Sequence, residues 1–147
     1  MKKVIFICMG NQFRSPIAKA LYNKYKKDDS KAESYGMQVD HENVAGHKLS
    51  SFPHLIEVIE LLEEKEAVDN SHEICKQLTP EIVKSADKVV FLDIDQVPNE
   101  YKDKGYIYWH VKDFYDTSLE TDDMIEDKIE EIKKLVLELI NGNSTIA

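Results

Sequence analysis

The chain of 147 residues is poor in cysteine, proline and glycine, has no long apolar run and is short of positive charge. Its two cysteines, Cys8 and Cys75, stand 67 positions apart (75 minus 8). That excludes a disulfide framework and a four-ligand cysteine zinc site, and the simpler expectation is free thiols in a reducing, cytoplasmic compartment. Four prolines and five glycines form no linker, and there is no repeat or low-complexity tract, so one domain over residues 1–147 is expected. Lys2 and Lys3 followed by an apolar stretch resemble a secretory start. Val4 to Met9 is only six residues long, however, and runs into Asn11, Gln12 and Arg14. It is too short for a signal core or a membrane span. Against 28 acidic residues there are 19 basic ones, a net charge of −9. A polyanion releases few counterions onto such a surface, so neither nucleic acid nor an anionic membrane is expected as a partner. The five histidines, at positions 41, 47, 54, 72 and 110, lack helical ligand spacing beside carboxylates. No metal and no cofactor are expected.

What is present reads as alternating strands and helices. Lys3 to Cys8 is a continuous apolar run suited to a central parallel strand buried on both faces. Ser15 is expected to cap a helix with Pro16 in its first turn and Ile17, Ala20, Leu21 and Tyr25 on one face. Lys31 to Gly36 is a weaker strand, and Met37 to Ser51 a polar loop. Phe52 to Lys65 reads as a helix with Leu55, Val58, Ile59 and Leu62 on its inner face. Thr79, Pro80 and Glu81 open a short helix. Asp87 to Asp93 and Tyr106 to Val111 are strands, and Asp122 to Ile140 is a long amphipathic helix with Ile125, Ile129, Ile132, Leu135, Val136 and Leu139 facing inward. Four strands separated by helices predict an α/β domain, a parallel sheet covered on both faces, with ligands bound at the carboxyl ends of the strands.

Cys8 sits at such an end, and the loop after it carries the chemistry. In "VIFICMGNQFRSPIAKALY" five residues separate Cys8 from Arg14. The amides of Met9, Gly10, Asn11, Gln12, Phe13, Arg14 and Ser15, curling into a helix N-terminus, converge as a nest for a tetrahedral oxyanion. Gly10 is expected to give close approach and positive φ, and Asn11 tolerates a left-handed conformation. Arg14 offers a planar fork for two equatorial oxygens. The same amides and the helix dipole favour the Cys8 thiolate, a nucleophile toward phosphorus, and Ser15 can donate to its sulfur. A cysteine at a strand end is ordinarily a small buried hydrophobe and an arginine after a loop a solvated helix start. The combination of strand, glycine, asparagine and helix start turns the reading toward catalysis.

The same stretch resembles the opening of the low molecular weight protein-tyrosine phosphatase family, whose loop reads C-x-G-N-x-x-R-S-P. The match covers Cys8, Gly10, Asn11, Arg14, Ser15 and Pro16, and continues through "SYG" at Ser34 to Gly36, "KQLTPEIVKSADKVVFLD" and "WHVKDFYD". The resemblance implies a Rossmann-like four-stranded parallel sheet in the order 2-1-3-4, flanked by helices, a phosphocysteine intermediate and a late aspartate as general acid. Expulsion of an alkoxide or phenoxide also requires a proton on chemical grounds. Asp113, aligned with the family's Asp-Pro and following the last strand, is the expected general acid, with Asp116 in reserve. The expected catalytic set is therefore Cys8, Arg14 and Asp113. The expected substrates are phosphorylated protein, phosphotyrosine first, or a small phosphomonoester.

Departures from the family pattern bear on specificity. Phe114 replaces the usual proline of the acid loop. Phe13 stands where many members have a second cysteine, which removes a thiol able to protect oxidised Cys8 as a disulfide. Gln12 occupies a pocket-wall position usually apolar or small, and its amide suits a more polar phosphorylated group than a phenol ring. Phe114 and Tyr115, with Tyr35 or Met37, are the aromatic or apolar walls available to a substrate ring. Where the family often has histidine, His72 fits only with a one-residue shift and otherwise Glu73 stands there, so His72 reads as surface. Cys75 reads as structural. Two rival readings use the same loop: an arsenate reductase of this fold relying on an external thiol, and a non-catalytic phosphate or phosphopeptide sensor. Periodicity says nothing of oligomeric state.

Overall fold

A computed structural model describes residues 2–112 and 122–142 of the chain. Its sheet has four parallel strands, β1 (Lys3–Cys8), β2 (Lys31–Gly36), β3 (Lys88–Phe91) and β4 (Ile107–Tyr108), in the order β2-β1-β3-β4. β1 is central because its residues are apolar on both sides: Val4, Ile5, Phe6, Ile7 and Cys8 are all buried. Alternation along the strand sends Val4, Phe6 and Cys8 to one face of the sheet and Ile5 and Ile7 to the other. β1 pairs with β2 from Lys3↔Lys31 to Cys8↔Gly36, so Cys8 and Gly36 end side by side.

On the first face lie α1 (Arg14–Tyr25), α2 (Ile56–Glu66) and α4 (Asp122–Ile140), with α1 and α2 both packed on α4. Ile17 and Leu21 of α1, Leu62 of α2, and Ile129, Ile132 and Val136 of α4 are wholly shielded from solvent. Each such side chain contributes roughly 1.5–3 kcal/mol by burial, far more than helix propensity supplies. The second face carries α3 (Pro80–Ser85), whose Thr79 cap accepts from the Ile82 amide at 3.3 Å. There Phe91, Tyr101, Tyr106 and Tyr108 form an aromatic cluster, with Phe91 and Tyr108 stacked at 5.8 Å between ring centroids. Helices on both faces, a parallel sheet and its order match the expectation from sequence.

Several boundaries differ. The helix expected from Phe52 starts as an α-helix only at Ile56, after two short 3-10 turns at Leu49–Ser51 and Pro53–Leu55. Pro53 is the cause: Phe52, just before it, is held extended (φ −99°, ψ 112°), as a residue preceding proline is. The strand expected to run to Asp93 stops at Phe91, because Asp93 accepts from the Asp95 amide at 3.0 Å and folds Ile94–Gln96 into a 3-10 turn. The last strand is two residues long, yet Trp109 and Val111 continue the ladder onto Phe91 and Leu92 at 2.8 Å. Among the described residues no helix is long and apolar enough to cross a membrane.

Candidate active site

The segment between Cys8 and Arg14 connects the end of the central strand to the start of α1, and β2 holds it from the side. The Met37 amide donates to the Cys8 carbonyl and the Gln38 amide to the Met9 carbonyl, both at 2.9 Å. Gly36 lies so close to the loop that a Cβ there would stand 2.7 Å from the Met9 carbonyl oxygen and 2.8 Å from the Asn11 nitrogen. Only glycine fits at this position.

The left-handed residue of the loop is Asn11 (φ 55°). Gly10, expected at positive φ, does not adopt it. Asparagine accepts this conformation with little strain because its short polar side chain bonds locally. Here the buried Asn11 amide donates to Ser15 Oγ at 2.9 Å and to Ser34 Oγ at 3.0 Å, while its oxygen accepts from the Lys76 amide at 2.8 Å. Four segments, namely the loop, α1, β2 and the chain at Lys76, are thus fastened to one side chain.

That arrangement places the Ser15 hydroxyl. It lies 3.0 Å from Cys8 Sγ and 3.4 Å from the Tyr35 carbonyl, and it accepts from Asn11. Its single proton is left for the sulfur or that carbonyl, and the sulfur is the nearer. Ser15 therefore does not cap α1. The cap position is Phe13, which makes no side-chain cap hydrogen bond.

Arg14 is buried, and its guanidinium is held from behind. Nη1 donates to the Val111 carbonyl at 2.9 Å and lies 3.5 Å from the buried Asp93 carboxylate, while Nη2 donates to Gln96 Oε1 at 3.1 Å. The turn after β3 and the end of β4 thereby aim the fork. Asp93 and Gln96 were not singled out in the sequence as site residues. The available signal was Asp93 at the carboxyl end of a strand, the same sheet edge as Cys8.

A cavity of about 130 Å³ opens over this loop, lined by Cys8, Met9, Gly10, Gln12, Phe13, Arg14 and Glu42. Of the expected loop residues, Asn11 and Ser15 lie beneath it as buried supports. Glu42 was unforeseen, as was His54, whose Nε2 is 2.9 Å from Gln12 Oε1 and whose ring packs on Phe52. Asp113, Phe114, Tyr115 and Asp116 lie outside the described residues. Tyr35 and Met37, considered as walls, do not line this cavity. Tyr35 is turned to the second face with Lys76 Nζ 4.8 Å over its ring, and Met37 borders a separate cavity beside Tyr101. His72 is exposed, and Glu73 pairs with Lys19 at 2.6 Å.

Cys75 is buried under the loop and its Sγ donates to the Asn11 carbonyl at 3.6 Å. Burial, together with the charges of Cys8 and Glu42, pushes its thiol up to about 11. At neutral pH it stays protonated and is a poor nucleophile. Asp93, Asp95 and His110 bring one ligand atom each within 4.8 Å of one another, a grouping that sequence spacing did not reveal. Asp93 faces Arg14, and Asp95 is already engaged by His110 at 3.0 Å and by Lys112. Both carboxylates of this grouping thus already have partners in the protein.

A family model described as low molecular weight phosphotyrosine protein phosphatase matches residues 3–144. Among solved structures, the low molecular weight protein tyrosine phosphatase from T. tengcongensis is 26% identical, with a TM-score of 0.68, and the match covers 97% of this chain and 99% of that one. A thioredoxin-dependent arsenate reductase from Corynebacterium glutamicum is also 26% identical, with a TM-score of 0.67, over 97% of this chain and 62% of the other. The YwlE arginine phosphatase from Geobacillus stearothermophilus shares the fold at 20% identity and a TM-score of 0.69, over 97% and 92% of the two chains. The chain belongs to the low molecular weight phosphotyrosine protein phosphatase family, whose members are cysteine-based phosphatases.

Proposed function

We propose that the chain hydrolyses phosphomonoesters, protein phosphotyrosine first among them, with Cys8 as nucleophile, Arg14 as phosphoryl clamp and Asp113 as general acid and base. The observation that carries the reading is the arrangement around Cys8. Its sulfur and Arg14 line one cavity at the sheet's carboxyl edge, with the Ser15 hydroxyl 3.0 Å from that sulfur. The amides of Met9 to Ser15 and the Arg14 fork bind the phosphoryl oxygens. The sulfur attacks phosphorus, and the S–P bond forms as the P–O bond to the leaving group breaks. Asp113 delivers a proton to the departing oxygen. Water then attacks the phosphocysteine and gives its proton to Asp113, and the S–P bond breaks to release inorganic phosphate and the thiolate. Ser15, donating to the sulfur, favours it as attacking and as leaving group. The carbonyl of Val111, two positions before Asp113, accepts from Arg14, which supports an acid supplied from this stretch.

Two free thiols suit a reducing cytoplasm, and the excess of acidic residues argues against nucleic acid or an anionic membrane as a partner. The arsenate reductase reading draws on the Corynebacterium likeness. Cys75, buried and held protonated, does not suit an internal thiol relay, so this reading is of a reductase served by an external thiol.

The test is hydrolysis of p-nitrophenyl phosphate, without added metal, by wild type, Cys8→Ser and Asp113→Asn. The expected result is turnover by wild type and background activity for Cys8→Ser. For Asp113→Asn the expected loss is about 10²–10⁴-fold, greatest on substrates with poor leaving groups. A wild type that binds phosphate but turns nothing over would leave the sensor reading in place instead.

A further inference from the structure

One lining group of the cavity has no part in the chemistry above and works against it. Glu42 carries a negative charge into a site proposed to bind a phosphoryl dianion. Its Oε2 would lie 3.3 Å from a Cβ at Gly10, and the Gln12 side-chain nitrogen would lie 3.6 Å from that same point. The placement of its backbone is fixed relative to the loop. Met37 and Gln38 donate to the carbonyls of Cys8 and Met9, and the Glu42 amide donates to the Gln38 carbonyl at 2.9 Å. Glu42 is exposed to solvent and makes no ion pair with any described residue. The cation among the described lining residues, Arg14, faces Asp93 at 3.5 Å. A carboxylate beside the binding place of a dianion raises the free energy of the complex unless a positive charge comes between them.

We infer that Glu42 is a subsite for a positive charge that the substrate itself carries beside its phosphoryl group. The inference rests on the phosphatase reading and narrows it. The neighbouring side chain beside Gly10 fits the same ligand. Gln12, held by His54 at 2.9 Å, supplies a polar amide where an aromatic ester would meet an apolar wall. Two substrates have this chemistry: N-phosphoarginine, whose guanidinium adjoins the phosphoryl group, and phosphotyrosine flanked by arginine or lysine.

The experiment measures kcat/KM of wild type, Glu42→Gln and Glu42→Lys on five compounds: p-nitrophenyl phosphate, N-phosphoarginine, and one phosphotyrosine peptide with basic, neutral or acidic flanks. Wild type is expected to favour a cation-bearing substrate over its neutral counterpart by about 2- to 5-fold, the effect of one solvent-accessible charge pair. Raising the ionic strength should erode that preference. Glu42→Gln should abolish it while speeding p-nitrophenyl phosphate severalfold, and Glu42→Lys should shift the preference toward the acidic peptide. A preference confined to N-phosphoarginine places the cation on the phosphorylated group, and one confined to the basic peptide places it on a neighbouring residue. Either result supports the subsite. An active wild type without charge preference, or a preference unchanged in both variants, overturns it. A wild type inert on all five overturns the phosphatase reading and this inference with it.

Discussion

At the residue scale the site depends on Asn11 more than its place in a motif suggests. Three hydrogen bonds of 2.8–3.0 Å and a left-handed backbone meet in this one side chain. Asn11→Ala strands the Lys76 amide and the Ser34 hydroxyl, removes the donor that holds Ser15, and places a residue with no local bond at positive φ. Each buried unmet polar group costs about 1–3 kcal/mol, and the left-handed backbone adds about 1–2 kcal/mol. Partial access of water brings the expected loss to about 2–4 kcal/mol. Urea unfolding reads the stability change, and turnover of p-nitrophenyl phosphate should fall by more than the folded fraction does, because Ser15 is no longer held against the sulfur. Equal losses of activity and folded protein would show Asn11 to be a structural residue only. The left-handed tolerance of Asn11 could be read from the sequence. Its partners Ser34 and Lys76, 23 and 65 positions away, could not, because nothing local ties them to the loop.

At the scale of elements, β2 sets the loop's position through Gly36. Gly36→Ala puts a methyl group 2.6–2.8 Å from Val39, the Met9 carbonyl and the Asn11 nitrogen, two of them backbone atoms that cannot rotate away. The expected outcome is a destabilisation of about 1–3 kcal/mol, the usual effect of overpacking, with a fall in kcat/KM that survives correction for unfolded protein. Normal kinetics in the folded fraction would show that the loop is not set by β2. The same reasoning explains which elements could be read from the sequence. β1 and α4 are recognisable because burial on both faces, or on one helical stripe, writes itself into consecutive residues. The start of α2 is not, because Pro53 overrides an apolar period that continues through it. β4 was overdrawn, since its apolar residues serve the aromatic cluster and the Arg14 carbonyl contact as much as a ladder. Asp93 and Glu42 escaped notice for a common reason: each reaches the site from an element distant in sequence, with no periodicity to mark it.

At the scale of the whole molecule, one ion cluster joins three helices to one another and a second ties α1 to β2, and together they set the pH range of stability. Glu66, buried at the end of α2, accepts from Tyr25 of α1 at 2.6 Å and from Lys133 of α4 at 3.1 Å. Burial works to raise its pKa, but the hydrogen bonds from Tyr25 and Lys133 prevail and hold the carboxyl below the ordinary glutamate range. Glu33 behaves likewise, with burial outweighed by Lys76 and Lys19. A carboxylate held low in the folded state contributes stability that is complete above its unfolded pKa, about 4.3, and is lost as pH falls through the folded value. Lys19 is the mirror case. Burial lowers its pKa, hydrogen bonds to Glu73 and Glu33 raise it further, and the net value is raised. Its contribution is complete below the unfolded lysine value of about 10.4 and is lost as pH rises through the folded one. Stability should therefore be level through neutrality and fall below about pH 4.3 and in strong alkali. Glu66→Gln should lose about 1–3 kcal/mol at pH 7 and show a shallower acid slope. Urea midpoints from pH 3 to 8 check both, and an unchanged acid slope in Glu66→Gln would remove Glu66 from the account.

The central claim, that Cys8 becomes covalently phosphorylated during turnover, is tested most directly by quenching the reaction of Asp113→Asn with p-nitrophenyl phosphate and mapping phosphate by peptide mass spectrometry. This substrate has a good leaving group, so attack proceeds while hydrolysis of the intermediate, lacking its base, is slow. The account predicts a phosphoryl group on the peptide that contains Cys8, absent from Cys8→Ser treated in the same way. Turnover by an enzyme whose Cys8 is never labelled, or a Cys8→Ser variant that still hydrolyses the ester, would contradict it.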